Sequence, residues 1–97
     1  MLNRLVLVGR LYEIETSGEE ERKVCYIKLS VPRSFKNTDG EYETDIIPII
    51  LFGNIATNVN EYCTKGDTIG VKGRIQNNDG IEIIAEKITF LSSKKGE

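Results

Sequence analysis

The side chains of this 97-residue chain that could do chemistry are aromatic rings with cations beside them. Phe35 lies between Arg33 and Lys36, and Phe52 ends an apolar run further along the chain. Aromatic rings stack on flat ligands, and Lys and Arg side chains attract phosphates. The pattern therefore favours non-covalent binding of an anionic ligand that carries planar groups.

The sequence contains no convincing catalytic arrangement, whether a nucleophile with a base, paired carboxylates in a pocket, a metal cluster or a phosphate loop. There is no histidine, so the chain lacks the most frequent general base and a common metal ligand. The stretch from Gly70 to Gly73 is too short for a phosphate-binding loop and lies inside a strand pattern. The acids at positions 39, 41, 43 and 45 flank a turn, as solvated residues at a strand start do. We predict a binding protein and not an enzyme, with no cofactor and no metal.

The charge balance argues at first against a nucleic-acid ligand. The chain has 13 Lys and Arg against 15 Asp and Glu, a net charge of −2, whereas nucleic-acid binders are often basic. Five of the acids fall within residues 13–21, and outside that segment 13 bases stand against 10 acids, a net of +3. We expect residues 13–21 to form a solvated link, and the remainder of the chain is mildly basic.

Length and cysteine content indicate a single-domain protein with reduced cysteines. The chain is long enough for one core, so we predict one domain over 1–92 and a short polar tail over 93–97. The longest apolar run, from Ile46 to Phe52, is far shorter than the about 20 residues of a membrane span. Cys25 and Cys63 have no histidine to join them at a zinc site. We expect both to be reduced core residues, as in a cytoplasmic protein.

Alternation of apolar and polar residues, together with turn residues, predicts five strands and one helix. Gly9 should bend the first strand, Pro48 should mark a bulge or a gap in the third, and Asn54 should cap a helix that ends at Gly66. Turns are expected at 37–40 and 77–80. The predicted strands are 2–11, 23–33, 43–52, 67–76 and 81–91, with the helix between the third and the fourth.

This order is that of the all-β, five-stranded OB (oligonucleotide/oligosaccharide-binding) barrel with one helix between strands 3 and 4. In that fold the face of strands two and three, with its flanking loops, binds oligonucleotides or oligosaccharides. Alternation puts Tyr26 and Lys28 on the outer side of strand two and Phe52 on the outer side of strand three. Lys72 and Arg74 share one side of strand four. The candidate binding residues are Phe35, Phe52, Arg33, Lys28, Lys72, Arg74, Tyr26, Lys36 and Arg4.

Other apolar and aromatic side chains receive structural interpretations. We expect Ile47, Ile49 and Leu51 to form the inner side of strand three, opposite Ile46, Pro48 and Ile50. Tyr62 recurs at a core spacing on the predicted helix, so we interpret it as structural. Tyr12 and Phe90 are expected to close the barrel.

Three stretches resemble the bacterial single-stranded-DNA-binding proteins. They are the opening Asn-Arg-Leu-Val-Leu-Val-Gly-Arg-Leu of 3–11, the Val-Pro-Arg-Ser-Phe-Lys-Asn of 31–37 with 39–45, and Leu-Phe-Gly of 51–53 leading to 61–66 and 71–75. The resemblance covers about residues 2–76 in the order of the family. It implies an OB fold, assembly into a homo-oligomer, usually a tetramer, and sequence-tolerant binding of single-stranded DNA in replication, recombination and repair.

The resemblance also says where this chain departs from the family. The aromatic residues after strand two and at the end of strand three match Phe35 and Phe52, whereas an aromatic position near the start of strand three holds Ile46. The hairpin between strands four and five, which usually carries another aromatic residue, is cut to 77–80. The chain shows no acidic C-terminal tail of the kind that recruits repair proteins in the family.

Two alternatives remain open at this point. The chain could be a short relative similar to the primosomal protein N family, whose members bind single strands as dimers in replication restart. It could also be an OB barrel used only for protein interaction or oligomerisation, with Ile46, Pro48 and Ile50 as an apolar subunit interface. Binding to a single-stranded oligonucleotide would exclude the second alternative.

Overall fold

The computed structural model describes residues 2–18 and 23–92, and these residues form a closed five-stranded barrel. The predicted OB-type barrel, with one helix between strands 3 and 4, is therefore confirmed. The strands follow one another around the barrel in the order β1-β2-β3-β5-β4. The elements are β1 (Leu5–Ser17), β2 (Val24–Lys36), β3 (Tyr42–Phe52), α1 (Gly53–Tyr62), β4 (Thr68–Asn77) and β5 (Ile81–Ser92).

β1 is the strand that joins the two halves of the barrel. Its first part, Leu5 to Arg10, pairs with β4, and its second part, Arg10 to Ser17, pairs with β2. At Gly9 the backbone comes so close to β2 that a Cβ atom would collide with the carbonyl oxygen of Ser30. The glycine thus allows the close approach, while the shift in register lies slightly later, between Leu11 and Glu13.

β1 is longer than predicted, because the acidic stretch after Leu11 continues the strand. Ile14 and Thr16 face Ile27 and Cys25 across the β1–β2 pair, so the inward side of the stretch is occupied even though its outward side is charged. The prediction of a solvated link over the whole of 13–21 is wrong for 13–17. Residues 19–21 of that link and the predicted tail at 93–97 lie outside the described residues.

The barrel core consists of alternate residues from the strands. Ile27 and Leu29 from β2, Ile49 and Leu51 from β3, and Val71 from β4 are fully buried, as the alternation predicts. Burial of each such side chain contributes about 1.5–3 kcal/mol. The core also includes both cysteines, which are free thiols, and burial raises the pKa of each.

The two predicted turns connect their strand pairs. In the β2–β3 turn, the side-chain oxygen of Asn37 accepts hydrogen bonds from the backbone N–H groups of Asp39 and Glu41, both at 2.9 Å. In the β4–β5 turn, Asp79 takes a φ of 58°, and the N–H of Gly80 donates to the Asn77 side chain at 3.1 Å. Both hairpins therefore hold their strands in a defined register.

Two local predictions in and after β3 need correction. The pairing of Lys28 with Pro48 lies within a continuous register, so the prediction of a bulge at the proline is wrong, while the alternative of a gap in the hydrogen-bond ladder stays a prediction; the irregularity of this hairpin lies between Pro32 and Lys36. Asn54 is not the cap of α1, because the helix already begins at Gly53 and its N-cap residue, Phe52, makes no side-chain cap bond.

Three aromatic residues interpreted as structural lie at the surface. The helix buries Ala56, Val59 and the following Cys63, and this places Tyr62 outside, with 72% of its surface exposed. Tyr12 and Phe90 are also more than half exposed, so neither closes the barrel. Within residues 2–18 and 23–92, no helix is long and apolar enough to span a membrane.

Candidate nucleic-acid interface

An outward face on β2 and β3 carries the aromatic residues predicted for it. Tyr26 lies opposite Ile50, Lys28 opposite Pro48, and Val24 opposite Phe52 in the antiparallel register. Directly opposed residues of an antiparallel pair lie on the same side of the sheet. Tyr26 and Phe52 are each about half exposed, at 47% and 50%. We call this set of outward residues of β2 and β3 the β2–β3 face.

The tip of the β2–β3 hairpin presents two further rings. Phe35 lies within the irregular part of β2, between Pro32 and Lys36, and is 67% exposed. Lys36 pairs with Tyr42 across the strands, and its Nζ lies 5.7 Å from the centre of the Tyr42 ring, within the range of a cation–π contact. Tyr42 was not among the residues predicted to bind. Its position directly after the turn, opposite a cation that follows Phe35, was the available signal.

Arg33 is held by carboxylates of the neighbouring strand. Its Nε and Nη2 donate to the two carboxylate oxygens of Asp45 at 3.0 and 2.9 Å, and its Nη1 donates to Glu43 at 2.7 Å. The hydrogen bond between them raises the pKa of Arg33 and lowers the pKa of Asp45. Asn37 adds a bond to the second oxygen of Glu43, at 3.2 Å. The guanidinium thus fastens the hairpin, with most of its donor geometry already used.

The remaining candidate cations are spread around the barrel. Lys28 lies 3.5 Å from Glu13 of β1, on the β2–β3 face. Arg74 lies 3.2 Å from Glu86 of β5. In each of these exposed ion pairs, the neighbouring carboxylate offsets part of the positive charge of the base.

Lys72 and Arg4 lie on the side of the barrel away from the β2–β3 face. Lys72 pairs with Val6 of β1 and with Lys87 of β5, because β4 lies between those strands. Arg4 follows Asn3, whose side chain bonds the backbone of Ile75 in β4. The structure therefore brings Tyr26, Lys28 and Phe52 together on the β2–β3 face, places Phe35 and Lys36 near the tip of the same hairpin, and separates all five from Lys72, Arg74 and Arg4.

A closed five-stranded barrel with one helix and an exposed aromatic face defines a binding protein of the OB class. In the part of the chain that the structure describes, no group of three or more His, Cys, Asp or Glu residues could hold a metal ion. The arrangement can stack planar groups and pair with anions.

Comparison with known proteins gives the family. The sequence model of the single-strand binding protein family matches residues 2–91. The single-stranded DNA-binding protein 1 of Clostridium acetobutylicum is 36% identical, in a match covering 97% of this chain and 97% of that protein. The protein of the same name from Staphylococcus aureus strain Mu50 is 43% identical, over 97% of this chain and 68% of its own length. The chain belongs to the single-strand binding protein family, so the resemblance recognised in the sequence is confirmed.

Proposed function

We propose that this protein binds single-stranded DNA without selecting its sequence and makes no chemical change to it. The observation that carries the proposal is the set of exposed rings on β2 and β3: Phe52 and Tyr26 lie on the β2–β3 face, and Phe35 lies near the tip of the same hairpin. Each base stacked on an aromatic side chain contributes about 1–3 kcal/mol, whatever the base. The names of the two relatives, and the replication, recombination and repair roles implied by the family resemblance, support the same function.

The cations divide into two groups in this proposal. Lys28 and Lys36 lie beside the rings and contact the phosphates between stacked bases, while Arg33 keeps the hairpin in place through Asp45. Lys72, Arg74 and Arg4 contact phosphates of a strand long enough to continue around the barrel. Because few cations are available, we expect a shallow dependence of affinity on salt.

We also propose that several copies assemble in the cytoplasm, with a tetramer favoured over a dimer. The family resemblance supports assembly, and so does the exposed Val6 on the β1 segment that pairs with β4. The two buried free thiols fit a reducing compartment. A β2–β3 face left open in the assembly would remain available to DNA.

A titration tests the function directly. The chain has no tryptophan, so the signal is the anisotropy of a labelled oligo(dT) of about 35 bases, enough to span more than one OB barrel. We expect binding at low salt, and we expect Phe35→Ala and Phe52→Ala each to weaken it by about 1–3 kcal/mol.

The matched control is Tyr62→Ala, which removes an equally exposed ring from the helix, away from the β2–β3 face. It should leave the affinity unchanged. An absence of binding by the wild-type protein at low salt would overturn the proposed function in favour of a protein-interaction module. Unchanged affinity in both phenylalanine variants would overturn stacking as its mechanism.

A further inference from the structure

Arg10 lies where β1 passes from one half of the barrel to the other. It is in register both with Ser30 of β2 and with Thr68 of β4. The close approach at the preceding Gly9, where a Cβ would collide with the Ser30 carbonyl, keeps β1 and β2 tightly together at this point. Arg10 is thereby fixed at a junction of three strands with its side chain exposed.

The surface beside Arg10 is an open recess of about 360 Å³ whose mostly apolar lining includes several hydroxyl-bearing residues. Ser30, Thr44 and Thr68, which carry hydroxyl groups, are among the residues that line it with Arg10. Among the described residues that line it, none is acidic. A guanidinium has five N–H donors, and hydroxyl groups add further donors. Together they bind a phosphate well where no carboxylate competes for them.

The recess continues the β2–β3 face. Ser30 lies opposite Ile46 and Pro32 opposite Thr44, two positions and four positions along the strands from the pair Lys28 and Pro48. Even spacing keeps all of these residues on the outer side of the sheet. A single strand lying on the exposed rings therefore reaches the recess without leaving the face.

Arg10 also differs from its neighbours in what surrounds its charge. Lys28 and Arg33 each have a carboxylate close by, at 3.5 Å from Glu13 and 2.9 Å from Asp45. In the region that the structure describes, no ion pair or side-chain hydrogen bond engages Arg10 in this way. Among the residues that the structure describes, no acidic side chain therefore competes with a phosphate for the charge of Arg10.

We propose that Arg10, with the hydroxyls of Ser30, Thr44 and Thr68, forms a phosphate-binding site for a single strand of DNA on the β2–β3 face. The inference rests on the proposed function and adds a residue that composition and motifs did not single out. The ligand group is a phosphodiester, and free inorganic phosphate offers the same chemistry without the chain that the rings hold.

The test uses an oligo(dT) of about 10 bases, short enough to occupy one barrel face. Arg10→Gln removes the charge and keeps a polar side chain. We expect its affinity at low salt to fall about five- to tenfold. The slope of log affinity against log salt should become shallower by about 0.7, the value for one phosphate contact to a single strand. Arg10→Lys should restore the slope and only part of the affinity, because a lysine lacks the planar fork.

The control is Lys87→Gln, which removes one exposed positive charge from β5, away from the recess. It should change neither the slope nor the affinity for this short probe. A second variant, Thr44→Val, keeps the side-chain shape but removes a hydroxyl from the recess. We expect it to weaken binding about three- to fivefold without changing the salt slope.

The outcomes separate the inference from the proposed function. If the wild-type protein binds and Arg10→Gln keeps the wild-type slope and affinity, the phosphate site is wrong and the function stands. Equal losses in Arg10→Gln and Lys87→Gln would indicate a general charge effect and would also overturn the site. If the wild-type protein does not bind, both proposals fail. Inorganic phosphate, added at constant ionic strength, should shift the NMR signals of Arg10 and Thr44 at much higher concentration than the oligonucleotide; equal potency would assign the site to free phosphate.

Discussion

A basic side chain contributes to anion binding according to the groups around it. Arg33 and Arg10 are both exposed arginines of the barrel, yet Arg33 is bonded to Asp45 and Glu43, whereas Arg10 borders a recess whose described lining has no acidic residue. Asp45 lies 12 positions from Arg33 in the sequence, and only the strand register brings the two side chains together. Residue types therefore indicated the kind of ligand, while the partners of each cation required the paired strands.

The ion pair of Arg33 and Asp45 predicts how stability depends on pH. The guanidinium hydrogen bond lowers the pKa of the Asp45 carboxyl in the folded chain. A carboxyl of this kind stabilises the fold above its unfolded pKa, and that stabilisation is lost as the pH falls through the folded pKa. We expect the thermal midpoint to decrease between about pH 5 and pH 2, and Asp45→Asn to show a smaller decrease.

The control for this measurement is Asp39→Asn, which changes an exposed carboxyl in the turn of the same hairpin. It should keep the wild-type dependence on pH. A decrease of the same size in Asp45→Asn and in the wild type would contradict a stabilising role for the ion pair. Differential scanning calorimetry over the acidic range gives the comparison.

At the scale of strands, the closeness of neighbouring backbones determines which glycines tolerate a side chain. A Cβ at Gly73 of β4 would collide with the carbonyl oxygen of Ile84 in β5. A Cβ at Gly70 of the same strand would make only ordinary contacts, 3.8 Å from Leu91 and Thr89. We expect Gly73→Ala to lower the free energy of unfolding by about 1–3 kcal/mol and Gly70→Ala to leave it unchanged or slightly raised.

Urea denaturation of the two variants checks this expectation, since both substitutions add one methyl group to the same strand. The comparison removes the general effect of replacing glycine on the unfolded chain. Equal stability of the two variants would contradict the expectation. It would mean that β4 and β5 can move apart at Gly73 without loss of stability.

The elements that the sequence predicted best were those in which one residue pattern decides the structure. Strict alternation identified the inner residues of β2 and β3, and the turn at 37–40 was recognisable from residues that tolerate positive φ. The predicted first strand ends at Leu11, whereas β1 continues to Ser17. The charges of 13–17 suggested a link, but they lie only on the outer side of the strand, while Ile14 and Thr16 face β2. The helix and most of its inner face were predicted, since Val59 and Cys63 are buried, but Ala56 and not Tyr62 completes that face.

The candidate site was predictable in its rings and less so in its charges. Phe35 and Phe52 lie exposed where the pattern placed them, because exposure follows from strand alternation and from position at a turn. Tyr42 and Arg10 were not predicted, because the role of each depends on a neighbour across the strands. That neighbour is Lys36 for Tyr42 and Ser30 for Arg10. Register is a property of the folded sheet that single-sequence patterns specify only in part.

At the scale of the whole molecule, two exposed apolar surfaces lie on different sides of the barrel. The β2–β3 face carries Ile46, and the outer surface of β1, β4 and β5 carries Val6, with 69% of its area exposed, and Leu91. If DNA occupies the β2–β3 face, subunits must associate through another surface. The β1–β4–β5 surface meets that condition, because β1 and β4 pair at Val6 on the opposite side of the closed barrel.

This division of surfaces can be tested with two matched substitutions. Val6→Asp adds a charge to the β1–β4–β5 surface, and Ile46→Asp adds the same charge to the β2–β3 face; both positions are exposed, so neither substitution removes core packing. We expect Val6→Asp to reduce the oligomer size measured by light scattering while each protomer still binds a short oligo(dT). Ile46→Asp should weaken oligonucleotide binding, through repulsion of phosphates, and leave the oligomer intact. The reverse result, in which Ile46→Asp dissociates the assembly, would place the subunit interface on the β2–β3 face and leave the single strand without its surface.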